Sequence, residues 1–421
     1  MVQRMVRGVV AWCWIAAALS CGDSAPPSAG GAGGHAPSKA AAGEAAAAAD
    51  GGSSAGPGSQ PKASASTATG LGSAGNAAAL AANGGSHGAS AANGGDSGST
   101  GASGGKTALA GSASPAATSG GGAPAPKPAG TPTLFFLDNT GARVLRAAVD
   151  GKQRTAIVQN RGVGPDGVAV DAIGGHVFWT NMGLPGSDDG TVMRADLDGK
   201  NPTTIVQSGT FTPKQLKLEP SSGKLYWSDR EGMRVMRSNL DGSELTTLLV
   251  TGSGDSDRRD ASKWCVGIAV DPVAGKLYWT QKGGDNAGVG TIKRASLELP
   301  VGQDPAQRTD IEVLFAKLPE PIDLDLDLEH HYLYWTDRGD NTISRAPLDP
   351  PAGADPAARK DREILVRGLG EAIGIALDVP NGRMFYTALS GQVGTAGLDG
   401  SSAHDVLTGQ GSLTGIAVIA L

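Results

Sequence analysis

The sequence predicts an all-β fold, a six-bladed β-propeller, and two observations carry that expectation. An aromatic strand motif recurs six times, in its fullest form as Leu333-Tyr334-Trp335-Thr336-Asp337. The copies begin at 135, 178, 226, 278, 334 and 385, at spacings of 43 to 56 residues, which is the length of a four-stranded blade plus insertions. Strand-like runs bounded by turn residues flank each copy, which gives four strands per unit.

Taken from its start, the chain opens on a secretory leader, residues 1–20. Arg4 and Arg7 supply the positive end, and Gly8 to Leu19 is an apolar run of 12 residues, too short to span a bilayer. Ala18-Leu19-Ser20-Cys21-Gly22 resembles a bacterial lipobox, with Ala18 where Leu is usual. The resemblance implies a lipidated Cys21 as first residue of the mature chain. From Cys21 to residue 130 the composition is Gly, Ala, Ser, Thr and Pro with few charges. Such a stretch has too little apolar side chain to offset ordering entropy, so a disordered tether is expected. As a Gly-rich coil it would span about 55–60 Å. Gly95-Asp96-Ser97-Gly98 within it is a chance match to a serine-protease fragment, because no strand pattern surrounds it.

Residues 131–421 hold the repeats. The first strand of each unit is apolar with small residues and ends in an acid, as in Gly167-Val168-Ala169-Val170-Asp171, Gly267 to Asp271 and Gly374 to Asp378. The aromatic motif is the second strand. The third ends in an Asp-Gly turn, as in Val192 to Gly199 and Val235 to Gly242, a strong tight-hairpin signal. A β-branched fourth follows, as in Thr246-Thr247-Leu248-Leu249-Val250. The domain begins on a second strand, Leu134 to Asp138, and ends on a first strand, Thr414 to Val418. The last strand should therefore complete the first blade and close the ring.

These residues resemble the YWTD repeats of the low-density-lipoprotein-receptor family, whose propellers have six blades. The best copies are Tyr334–Asp337 and Tyr226–Asp229, and Leu-Asp-Gly also matches at 197–199, 240–242 and 398–400. The first and last motifs are degenerate. The disulfide-rich modules that flank receptor propellers have no counterpart in this sequence, so the resemblance implies the fold and not the receptors' ligand contacts.

Side chains alternate along a strand. Tyr334 and Thr336 should face one neighbouring blade, and Trp335 and Asp337 the other. Asp337 is expected to accept amide hydrogen bonds in the turn after it. Arg146, Arg194, Arg237, Arg294 and Arg345 recur in the third strand with an acid four residues on. A column of ion pairs or hydrogen bonds between blades is expected from them. Cys265 should be a buried, inert thiol.

Function should lie where the repeats differ. Three long loops fall on the face shared by the turns after the second and fourth strands. They carry Asp188 and Asp189, then Asp255, Asp257, Arg258 and Trp264, then Asp285 and Asn286. These are the candidate binding residues. Asp255-Ser256-Asp257 lacks the distant Glu of a calcium loop, and the histidines have no metal-ligand spacing, so no metal or other cofactor is expected. Two inner strands break the Gly/Ala pattern with Gln215 and Lys217, and with Asp323 and Asp325. Lys217 and Asp325 are expected to meet across the channel.

No catalytic set is evident. The expected function is a lipid-anchored binding or scaffold module of the bacterial cell envelope, surface-exposed or periplasmic. It would recognise a protein, peptide or glycan through its top face and act as a monomer, touching the membrane only through its anchor. A net charge of −6 without basic blocks gives no support to a nucleic-acid partner. The alternative is a lactonase-like hydrolase with a divalent metal in the channel, held by Asp166, Gln215 and Asp323.

Overall fold

The computed structural model describes residues 130–159 and 163–421. The leader, the tether and Cys21 lie outside the described residues. The described chain forms six four-stranded antiparallel sheets, a six-bladed β-propeller. Inner strands run, in chain order from blade 2, over Pro165–Asp171, Pro213–Glu219, Cys265–Asp271, Pro321–Asp327 and Ala372–Asp378. Blade 1 takes its inner strand from the other end of the chain. Leu413–Ala420 pairs with Pro132–Asp138, with Pro132 opposite Ala420 and Asp138 opposite Leu413. Backbone bonds between Thr131 and Leu421, 2.8 and 3.2 Å, extend this closure.

The second strands form the inter-blade core. Trp179, Trp227, Trp279 and Trp335 are wholly buried. Tyr334 packs with Ile375 and Tyr386 of blade 6, while Trp335 packs with Phe315 and Ile292 of blade 4. The two aromatics of one motif therefore clamp a blade between its neighbours, as strand alternation requires.

The hydroxyl of the motif forms a stitch that the sequence pattern did not reveal. Thr280 Oγ1 accepts the Gly267 amide of its own inner strand (2.7 Å) and donates to the Ile322 carbonyl of blade 5 (2.7 Å). Thr180 makes the same pair of bonds to Gly167 and to Lys214 O, each 2.8 Å. Thr336 joins Asp323 N to Ile373 O, and Thr387 joins Gly374 N to Thr414 O. Ser228 donates to Gly267 O of blade 4. Blade 1 has Leu137 at this position, and Thr414 of its inner strand reaches Pro165 O instead, 2.9 Å. A hydroxyl thus fastens all six seams. The approach is close enough to require glycine: a Cβ on Gly267 would lie 2.3 Å from Ile322 O.

The third-strand arginines stand directly across from the first aromatic of each motif, for example Tyr226 with Arg237 and Tyr334 with Arg345. Where they form ion pairs between blades, the acid comes from the following blade. Arg237 holds Glu298 of blade 4 (3.1 Å), Arg294 holds Asp349 of blade 5 (2.7 Å), and Arg345 donates to Leu398 O of blade 6 (3.0 Å). Arg146 lies over the Phe135 ring. Glu298 and Asp349, each four residues on from an arginine, thus serve the preceding blade, whereas Asp150, Asp198 and Asp241 bond Lys152, Lys200 and Ser243 of their own turns.

Asp337 also differs from its best-matching counterpart. Asp229 and Asp138 are each bonded by an arginine that opens the next strand, Arg234 (2.8 Å) and Arg143 (2.5 Å). In blade 5 that place is Thr342. Asp337 still accepts from the amides of Glu320 (2.9 Å) and Gly339 (3.0 Å), but its Oδ2 has no donor among the described residues.

Two insertions share a repeat of their own, Asp304-Pro305-Ala306-Gln307-Arg308-Thr309-Asp310 and Asp355-Pro356-Ala357-Ala358-Arg359-Lys360-Asp361. Their arginines are buried. Arg308 donates to Leu248 O on the outer strand of blade 3 (3.0 Å), and Arg359 to Leu314 O on that of blade 4 (3.3 Å). Each insertion therefore buttresses the preceding blade.

Candidate functional site

The 251–264 and 281–290 loops meet the turns of blades 3 to 5 on the top face. The 251–264 loop contains a helical turn, Gly254–Arg258, where the sequence reading expected only loop. Two of its acids shape it: Asp257 accepts the Ser253 amide and Asp260 the Ser262 amide, each 2.9 Å. Arg258 lies 4.0 Å over the Phe211 ring and donates to Glu231 O at 3.2 Å. The Trp264 indole then donates to Arg258 O at 2.8 Å.

Trp264 is half-buried and lies beneath two cations, Arg230 at 5.0 Å and Lys282 at 5.7 Å from its ring centre. Each cation has a recessed carboxylate. Arg230 pairs with Glu231 (2.5 Å), and Lys282 with Glu320 (2.5 Å). Arg338 reaches both Glu320 and Asp285 at 2.8 Å. Burial would push the Glu231 carboxyl up, but Arg230 holds it below the usual range. Lys282 and Arg338 hold Asp285 low in the same way. The Asn286 amide faces Glu320 at 3.4 Å.

Of the residues singled out by sequence, Trp264, Arg258, Asp285 and Asn286 belong to this cluster. Asp189 spends an oxygen on the Leu184 amide of its own loop (2.9 Å), Asp188 is exposed, and Asp255 is an exposed partner of Arg258 at 3.8 Å. Sequence reasoning missed Phe211, Arg230, Glu231, Lys282, Glu320 and Arg338. A signal for three of them was present. Arg230, Lys282 and Arg338 each directly follow the second strand, in three consecutive blades.

The channel below has two polar levels. At the upper one, Asp166 binds Lys214, and Gln215 Nε2 donates to its Oδ1 at 3.2 Å. Burial lowers the Lys214 ammonium despite Asp166. At the lower one, Lys217 Nζ lies 3.3 Å from Asp325 Oδ1. Asp325 also accepts the Leu377 amide at 3.0 Å, and Asp323, two residues nearer the top at the level of Gln215, accepts the Leu324 and Ile375 amides at 2.9 and 3.1 Å. These donors do not fit a divalent-metal site, since Asp166 and Asp323 are committed to an ammonium, an amide side chain and backbone amides on separate blades. No group of three or more His, Cys, Asp or Glu residues suited to a metal ion occurs among the described residues. Cys265 is wholly buried, which pushes its thiol up to about 12.

Over 300 residues the chain is 41% identical to low-density lipoprotein receptor-related protein 1 of Pyricularia oryzae, covering 66% of this chain and 92% of that protein. The chain belongs to the low-density lipoprotein receptor-related family. This family member is also 34% identical over 289 residues to the 3-hydroxyacyl-CoA dehydrogenase-like protein LAM1 of Cochliobolus heterostrophus, covering 64% of this chain and 61% of that one. It is 32% identical over 161 residues to a human low-density lipoprotein receptor-related protein 5-like protein, covering 38% of this chain and 52% of that one. It therefore spans less than two thirds of these two relatives. A chain in the crystal structure of a nidogen/laminin complex shares the fold, with TM-score 0.53, 22% identity, and coverage of 69% and 98%. No family model matches the sequence.

Proposed function

We propose that this propeller is a binding module that captures a protein, peptide or glycan segment on its top face, with Trp264 as the aromatic anchor. The carrying observation is that a half-buried indole lies under two cations from different blades, Arg230 and Lys282, and is fixed in place by its bond to Arg258 O. The motif aromatics, by contrast, are consumed by the core. Half-buried aromatics beside cations are the usual energetic centres of recognition surfaces. Membership in a family of receptor-related proteins supports a binding role over catalysis, and the committed channel donors weigh against the lactonase-like reading.

In this reading Cys21 carries the lipid and residues 22–130 hold the domain away from a membrane of the cell envelope. Phase partitioning of the full chain tests the anchor: wild type enters the detergent phase and Cys21→Ser stays aqueous. For the face itself, partners crosslinked to the full chain are compared between wild type, Trp264→Ala and Val301→Ala, a fully exposed control. Removal of an anchor should weaken capture by roughly 30-fold or more. Equal capture by Trp264→Ala and the control would sink the assignment.

A further inference from the structure

The channel holds two carboxylates of blade 5, Asp323 at the level of Gln215 and Asp325 at that of Lys217, and Lys217 is the one ammonium that faces them. From blade 3 comes Lys217, from blade 5 Asp325 and the Leu324 amide, and from blade 6 the Ile375 and Leu377 amides. Blade 4 contributes only Gly267 and Ala269 at the matching positions, which leaves room for Lys217 to cross. Thr336 Oγ1 lies against the Asp323 backbone. Asp323 is buried while Asp325 and Lys217 are partly exposed. The single ammonium is within ion-pair distance of Asp325, so the second carboxylate has no cation of its own.

We propose that Asp323 is a proton-binding site that completes the charge balance of a cross-channel strut, Lys217–Asp325, and makes the stability of the propeller pH-dependent. In the protonated form one positive and one negative charge face each other, and Asp323 still accepts the Ile375 amide through its second oxygen. Loss of that proton places a second negative charge in the channel where the blade 5 and blade 6 inner strands meet. The acidity of the site agrees with this geometry. Burial raises Asp323 first and the Asp325 charge adds to it, while Lys217 and the two amides oppose, leaving it at about 7. Burial alone would lower Lys217, but Asp325 and Asp323 hold it above the ordinary lysine range.

The linkage has a definite sign. A carboxyl whose folded pKa lies above its unfolded one stabilises the fold at low pH and loses that contribution as pH rises toward the folded value. Thermal midpoints of wild type and Asp323→Asn are therefore compared from about pH 5 to pH 8. Wild type should lose stability relative to the variant up to about pH 7, and the difference should then level off. A difference constant with pH overturns the proposal. Should Asp323→Asn fail to fold, carboxyl carbon-13 resonances of the wild-type chain read the site directly. A titration midpoint near 7 supports it, and one in the ordinary carboxylate range overturns it. In Lys217→Met the midpoint should move upward, and an unchanged midpoint would remove Lys217 from the strut.

Discussion

Lys217 of blade 3 reaches Asp325 of blade 5, 3.3 Å away, past an intervening blade whose facing residues are Gly267 and Ala269. Propeller blades ordinarily meet only their neighbours, so this pair joins seams that the motif hydroxyls fasten one at a time. Lys217→Met leaves two carboxylates without a cation. Because the pair is about one-fifth to one-quarter exposed, the loss should be about 1–3 kcal/mol, below that of a fully buried pair. Urea unfolding of Lys217→Met, Asp325→Asn and the double variant measures it, and the double should lose less than the sum of the singles. Strict additivity would mean that the two charges do not act on each other.

The motif threonine predicts a different pattern. Thr280→Val keeps the shape but strands the Gly267 amide and the Ile322 carbonyl, both buried. An unsatisfied buried group costs about 1–3 kcal/mol, so the thermal midpoint should fall, whereas Thr280→Ser should retain most of the stability. Equal loss in both variants would assign the effect to the methyl group rather than to the stitch.

Much of this fold was legible because period-2 alternation and aromatic motifs recur in all six blades and an Asp-Gly turn in four of them. Ring closure by Leu413–Ala420 was legible too, since the repeat domain begins on a second strand and ends on a first. The stitches were not, because a hydroxyl's partners lie on two other strands and the pattern shows only that Thr or Ser recurs. The spacing gives an inter-blade arginine column but not its partners: Glu298 and Asp349 come from the next blade, while Glu312 and Glu363 pair with Arg294 and Arg345 within their own. At the site, Trp264 and Asp285 stood out because they sit in long insertions. Arg230 and Glu320 did not, since they occupy short turns whose convergence is a matter of tertiary geometry.

Burial should separate two arginines of similar appearance. Arg237 meets a largely exposed Glu298, so Glu298→Gln should cost less than about 1 kcal/mol and the loss should shrink further in salt. Arg308 is buried and bonds Leu248 O, Ser296 O and both oxygens of Asp310. Arg308→Met removes these at once and should cost about 3–5 kcal/mol. Chemical denaturation of both variants at two salt concentrations checks the contrast, and similar losses would show that the 304–310 insertion does not brace blade 3.

Asp337 gives the last prediction. It is wholly buried, it has no arginine where Asp138 and Asp229 do, and Arg362 is spent on Asp340, at 2.9 Å, and on Ser344, at 3.0 Å. Burial and then the Asp340 charge push its carboxyl up to about 6, against the pull of the Glu320 and Asp340 amides and of Arg362. The folded value exceeds the unfolded one, so this group's contribution is complete below about pH 4 and is lost as pH rises through about 6. Asp337→Asn keeps an acceptor for the Glu320 and Gly339 amides and removes the titration. Its stability relative to wild type should therefore rise between about pH 4 and pH 6 and then stay level. Asp337→Ala strands both amides and should be less stable than wild type at every pH. The opposite slope holds for Asp138, whose carboxyl lies below its usual range because the Gly141 amide and Arg143 outweigh burial. Asp138→Asn should lose stability relative to wild type as pH rises through the acidic range. Thermal midpoints of the three variants across that range test both signs, and parallel profiles for Asp337→Asn and Asp138→Asn would show that Thr342 in place of arginine does not set the acidity of this motif.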